Sequence, residues 1–158
     1  MIFILLFIVI FFLLKRSNYL FRSVVKSKVR LPCWPYELIY KDNKNNKFNK
    51  KIICSKILYS KKFNIYGKPD LIYRNKINKS IIIAELKSSV IKIKNKPNFG
   101  DLLQVAAYFI IVEENFKKKP KIAYLIYKDR MFIIKNTNEL KKKVLNVVKK
   151  MRILIGKC

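Results

Sequence analysis

The sequence predicts an α/β domain, a mixed sheet with helices packed against it, preceded by a short apolar segment. Three observations carry that prediction. Two strand-like runs, "PDLIYR" and "SIIIAELK", are joined by the turn "NKINK". A long helical run follows, then two more strands and a second helix, an order that suits a sheet flanked by helices. The chain has 158 residues, 51% of them hydrophobic, enough for one domain with a real core and too apolar for global disorder.

From the N-terminus, every residue from Ile2 to Leu14 is aliphatic or aromatic. As a helix this run would reach only about 20 Å, short of a hydrocarbon core of roughly 30 Å. Lys15 and Arg16 can snorkel, and residues 18–21 can extend the segment into the interface. No basic residue precedes the run and no small-residue cleavage site follows it, so an uncleaved anchor is expected rather than a signal peptide. Lys15, Arg16, Arg22, Lys26, Lys28 and Arg30 all follow it, which places the rest of the chain on the cytoplasmic side. The expected organisation is a single-pass transmembrane anchor over 1–21, a basic linker and loop over 22–50, and the folded domain over 51–158.

"LPCWPYELIY" and "KDNKNNKFNKK" are expected to be linker and loop, and "KIICSKILYS" a strand. Ile81, Ile82, Ile83 and Ala84 in succession suit a strand buried on both faces. "NKPNFG" opens a helix over 101–116 that is apolar nearly all round and so should be buried, with Asp101 suited to its start. "KIAYLIYK" and "MFIIKN" form a hairpin across "DR". The last helix runs from Asn138 to Ile155, with Leu140, Val144, Val147, Val148, Met151 and Ile155 at helical spacing and lysines largely on the other face.

Composition narrows the chemistry. There is no histidine, which removes Ser-His-Asp and Cys-His machinery, imidazole catalysis and His-based zinc sites. The three glycines form no phosphate-binding loop. Cys33, Cys54 and Cys158 form no CxxC pair and are too few to hold a four-ligand iron–sulfur cluster, so none is expected. Lys and Arg number 36 against 9 Asp and Glu, a net charge of +27 that favours polyanions such as nucleic acid or an anionic membrane face. Lys, Asn and Ile are enriched together, as AT-rich coding would produce, so charge alone does not choose the partner.

With so few acids, their placement is informative. Asp42-Asn-Lys44, Glu85-Leu-Lys87 and Glu139-Leu-Lys141 share one acid-x-Lys pattern, and only context separates them. Asp42 falls in a polar loop and Glu139 opens the last helix. Glu85 alone lies in an apolar strand, where an ionised carboxylate is costly without a cation or strong partner. Glu85 and Lys87 are two apart on a strand and share a face. Asp70 begins the preceding strand after Pro69, so a hairpin brings both carboxylates beside the lysine. Two hard carboxylates suit Mg²⁺ or Mn²⁺, and a neighbouring lysine can orient water or offset charge on a phosphate. Gln104 and Tyr108 are one turn apart on the buried helix, two polar residues in an apolar run.

"GKPD", then "AELK", then "QVAAY" resembles the PD-(D/E)xK nuclease superfamily, in particular the RecB-like exonucleases that include the CRISPR-associated Cas-four type. The resemblance runs from about Ile39 to Arg152. It implies a restriction-endonuclease-like core and metal-dependent hydrolysis of DNA phosphodiesters, with Asp70, Glu85 and Lys87 as catalytic residues. Gln104 and Tyr108 fall on the family's Q-x-x-x-Y pattern and are implied to contact the DNA strand or the catalytic shell. The family usually has an upstream His or Glu as a further metal ligand. Here Glu37 and Asp42 are the acids upstream of Asp70, and Asp42 is the expected ligand. A His often found shortly before the Gln has its place taken by Asp101. Lysines near the site and on the last helix are expected to hold the phosphate backbone without sequence preference. The competing expectation is a catalytically weak nucleic-acid or membrane-surface binding module that keeps the nuclease fold.

Overall fold

The expected hairpin of "PDLIYR" and "SIIIAELK" forms the middle of the sheet. Asn75 makes its turn: the side-chain Oδ1 accepts from the backbone N–H groups of Ile77 (2.8 Å) and Asn78 (3.1 Å). In a computed structural model, residues 21–25, 31–42, 52–91 and 96–156 are described. Their elements are β1 (Phe21–Val25), β2 (Tyr36–Lys41), β3 (Ile53–Cys54), β4 (Leu58–Ser60), β5 (Ile65–Gly67), β6 (Leu71–Asn75) and β7 (Ile81–Leu86). Helix α1 (Phe99–Phe116), β8 (Ile122–Ile126), β9 (Arg130–Lys135) and α2 (Asn138–Ile155) complete the order.

One mixed sheet has the order β1-β9-β8-β7-β6-β2-β3, and β4 and β5 form a separate antiparallel pair. Strands β7 and β8 run parallel, so the chain must cross over between them, and α1 is the crossover. One face of the sheet carries Tyr40, Ile72, Ile81, Ile83, Ala123, Leu125, Phe132 and Ile134 against Val105, Phe109 and Val112 of α1 and Leu140 and Val144 of α2. On the other face Leu71, Tyr73, Ile82 and Ala84 are buried, flanked by Tyr36, Leu38, Ile122, Tyr124 and Ile126. The run Ile81–Ala84 is therefore buried on both sides, as its unbroken hydrophobicity requires.

Several expectations are corrected. Part of the stretch read as linker and loop is strand β2, paired antiparallel with β6. Its two prolines precede the strand and leave the ladder intact. A register shift between Leu38 and Tyr40 lets the consecutive Ile39 and Tyr40 both enter the helix-side core. Strands β1 and β2 belong to the same sheet as β6 to β9, so the fold begins before the boundary expected at residue 50. "KIICSKILYS" is two strands in two sheets, broken where Ser55 takes φ 47°. The exposed stripe at the end of α2 is the last difference: Leu140 and Val144 are buried, but Met151 is 54% and Ile155 72% exposed. The expected anchor over 1–21 lies almost wholly outside the described residues, and its last residue, Phe21, opens β1. Among the described residues no helix is long and apolar enough to cross a membrane.

Candidate active site

Sheet register explains why two carboxylates meet. Leu71 pairs with Ala84 across the β6–β7 hairpin, so Asp70, just before β6, stands opposite Glu85. Along β7 the helix-facing positions read Ile81, Ile83, then Glu85, with Lys87 next in the alternation. The Asp70 backbone N–H donates to Glu85 Oε2 at 3.4 Å, and the Leu86 N–H donates to Asp70 Oδ2 at 2.6 Å. Asp70 Oδ1 takes no hydrogen bond from a described residue.

Helix α1 closes the site from above. Lys87 Nζ donates to Glu85 Oε1 at 3.1 Å and to Gln104 Oε1 at 2.6 Å. The Gln104 Nε2 amide donates to Glu85 Oε1 (2.9 Å) and to the Tyr108 hydroxyl (2.8 Å), and that hydroxyl donates to the Lys68 carbonyl (3.0 Å). Gly67 makes room for the Tyr108 ring: a Cβ at residue 67 would lie 2.9 Å from Tyr108 Cε1. The five residues Asp70, Glu85, Lys87, Gln104 and Tyr108 thus form one connected group.

Charge in this group is not balanced. Glu85 is 4% exposed. Burial, and then the neighbouring charge of Asp70, push its carboxyl up to about 7, although Lys87 pulls the other way. Burial disfavours the Lys87 ammonium, but hydrogen bonds and charges from Glu85 and Asp101 outweigh it and leave its pKa raised. Tyr108 is pushed up to about 12, first by burial and further by the two carboxylates, against the pull of its Gln104 bond, so its hydroxyl stays protonated. The donor set fits a hard divalent cation: two facing carboxylates, one with an oxygen not bonded by a described residue and one whose pKa burial and its neighbour's charge hold well above the ordinary value.

The expected third ligand has other partners. Asp42 is close through its backbone, since its N–H donates to the Asp70 carbonyl at 2.9 Å. Its carboxylate, however, accepts from Ser55 Oγ at 3.2 Å and lies 3.6 Å from Lys68 Nζ. Glu37 sits at the other end of the β2–β6 pair, where it accepts two bonds from Arg74. Among the described residues no group of three His, Cys, Asp or Glu side chains gathers to hold a metal. Any cation here would therefore rest on Asp70 and Glu85 with backbone carbonyls and water.

Two further residues join the site: Asp101, at the position shortly before Gln104 where the resemblance placed it, and Tyr127, which motif spacing did not bring there. Asp101, in the first turn of α1, has Oδ1 at 3.3 Å from Lys87 Nζ. Tyr127, just after β8, donates to Asp101 Oδ2 at 2.7 Å. The pairing of Leu86 with Ile126 carries Tyr127 alongside Lys87, and that parallel register is not written in either strand. No protein-family model matches the chain, and neither does any curated protein.

Proposed function

We propose that the chain is a metal-dependent DNA nuclease, similar in kind to the RecB-like and Cas-four-type exonucleases. The observation that carries this reading is the meeting of Asp70, Glu85, Lys87, Gln104 and Tyr108 in one buried, charge-imbalanced group. When bound, Mg²⁺ or Mn²⁺ supplies the charge that polarises a phosphodiester and makes a water more acidic at neutral pH. Asp70 and Glu85 would hold it, and its charge would offset their mutual repulsion. Lys87 orients the attacking water or offsets charge developing on the phosphate. Gln104 fixes both Glu85 and Lys87 through its two amide ends, and Tyr108 fixes Gln104. The excess of lysine gives salt-sensitive, sequence-independent grip on the DNA backbone. The apolar run Ile2–Leu14 holds this activity at the cytoplasmic face of a membrane.

A second reading, a binding module with little catalysis, is favoured by one observation: Asp42 is engaged by Lys68 and Ser55 rather than turned to the carboxylate pair. The deciding experiment incubates the full chain in detergent with labelled single- and double-stranded DNA and Mn²⁺ or Mg²⁺, beside Glu85→Ala and Lys87→Ala. Metal-dependent cleavage lost in both variants is the expected result. Binding without cleavage in either metal would favour the second reading.

A further inference from the structure

Tyr127 carries a hydroxyl where packing alone would accept phenylalanine. It is 1% exposed, and its ring meets Phe132 edge-on at 5.8 Å inside the core. A buried hydroxyl is destabilising unless it is bonded, so its partners reveal its use. It accepts from the Asn98 backbone N–H at 3.2 Å and donates to Asp101 Oδ2 at 2.7 Å. The Asn98 side-chain amide donates to the same Asp101 oxygen at 3.2 Å. Asp101 therefore has one oxygen fixed from two sides, which leaves Oδ1 aimed at Lys87 Nζ, 3.3 Å away.

The backbone of Lys87 is referenced to the same place. Its N–H donates to the Ile126 carbonyl at 2.7 Å, one residue before Tyr127. Both ends of the lysine are thus measured from the end of β8, one through the main chain and one through Tyr127 and Asp101. Glu85 and Gln104 also accept from the ammonium, at 3.1 and 2.6 Å.

We infer that Asp101 and Tyr127 are positioning residues that set where the Lys87 ammonium stands, and so determine the rate of the reaction it serves. The catalytic part of this inference rests on the proposed nuclease reading; the positioning part does not. A misplacement of about 1 Å in a reacting group can cost on the order of 10²-fold in rate, so a pair that fixes one lysine end has a measurable effect.

The test uses the full chain in detergent and three substitutions, Tyr127→Phe, Asp101→Asn and Asp101→Glu. Lys87 is probed by brief acylation with an amine-reactive ester and peptide mass mapping, with Lys142 and Lys150 as exposed internal references. Labelling of Lys87 relative to those references should rise several-fold in Tyr127→Phe and Asp101→Asn and return toward wild type in Asp101→Glu. With DNA and Mn²⁺, kcat should fall about tenfold or more in the first two variants with KM little changed. Tyr127→Phe keeps the ring and its packing, so it also separates positioning from folding. Unchanged Lys87 labelling in a folded Tyr127→Phe protein would overturn the inference. If the wild type does not cleave DNA but Lys87 labelling still rises, the positioning stands and the nuclease reading falls.

Discussion

Helix α1 carries an acid–lysine cluster at each end, and the two behave differently. Toward its C-terminus, Glu114 accepts from Ser60 Oγ at 2.5 Å and from the Lys61 N–H at 2.9 Å, stapling the β4–β5 pair to the helix. Glu113 pairs with Lys141 of α2. Each carboxylate there has its own partners, and the Ser60 bond holds Glu114 below its ordinary value. An open groove of about 440 Å³ lies over this cluster. Toward the N-terminus, two carboxylates share the reach of one lysine, and Glu85 is held well above its ordinary value. Pairing of acids with lysines is common in so basic a chain, so it does not by itself mark a site. Burial with unmatched negative charge distinguishes the candidate site.

The comparison breaks most visibly in activity. Lys87→Ala and Glu85→Ala should each lower DNA cleavage by at least about 10²–10³-fold, as loss of a charge-stabilising group does. Glu113→Gln and Glu114→Gln should leave it within about twofold of wild type, since neither touches the site. Cleavage rates of the four variants side by side check this, and equal losses at both ends would remove the distinction.

A smaller effect is expected at Gly67. In Gly67→Ala the new methyl meets the Tyr108 ring at 2.9 Å and must push it, and with it Gln104. Cleavage should fall roughly 10–10²-fold from misplacement of the site. Stability should drop by about 1–3 kcal/mol from overpacking, read in denaturant unfolding.

Acidity gives opposite signs at the two ends. Between about pH 4.5 and about 7 the folded chain keeps a proton on Glu85 that the unfolded chain releases. Its contribution is complete below the unfolded value and is lost as pH rises through the folded one, so metal-free stability from this group declines over that window. Glu114 is lowered instead, so its contribution is present above its unfolded value and is lost toward acid pH. Melting curves from pH 5 to 8 should show Glu85→Gln removing the decline, and Mn²⁺ reversing it in the wild type. The smallest change is expected from Glu114→Gln, a lower melting temperature with cleavage intact.

Much of this site was legible in the sequence because it depends on local order. The alternation Ile81, Ile83, Glu85, Lys87, the turn at Asn75 and the one-turn spacing of Gln104 and Tyr108 each fix a neighbour without long-range knowledge. The β8–β9 hairpin and the limits of α2 follow from the same periodicities. Strand β2 was hidden by Pro32 and Pro35, which read as linker signals although both precede the ladder. Asp42 looked available because Lys68 is far away in sequence and reaches it only once β2 lies beside β6. Tyr127 carried no signal, since its place beside Lys87 depends on the parallel register of β7 and β8.

The central claim is that the carboxylate pair at the N-terminal end of α1 binds a divalent cation. Calorimetric titration of Mn²⁺ into the metal-free full chain in detergent at pH 8 tests it most directly. Asp70→Asn/Glu85→Gln and Glu113→Gln/Glu114→Gln proteins are titrated beside it. The account predicts saturable binding by the wild type, retained in the second double variant and abolished in the first. Equal binding by all three, or none by the wild type, would contradict it.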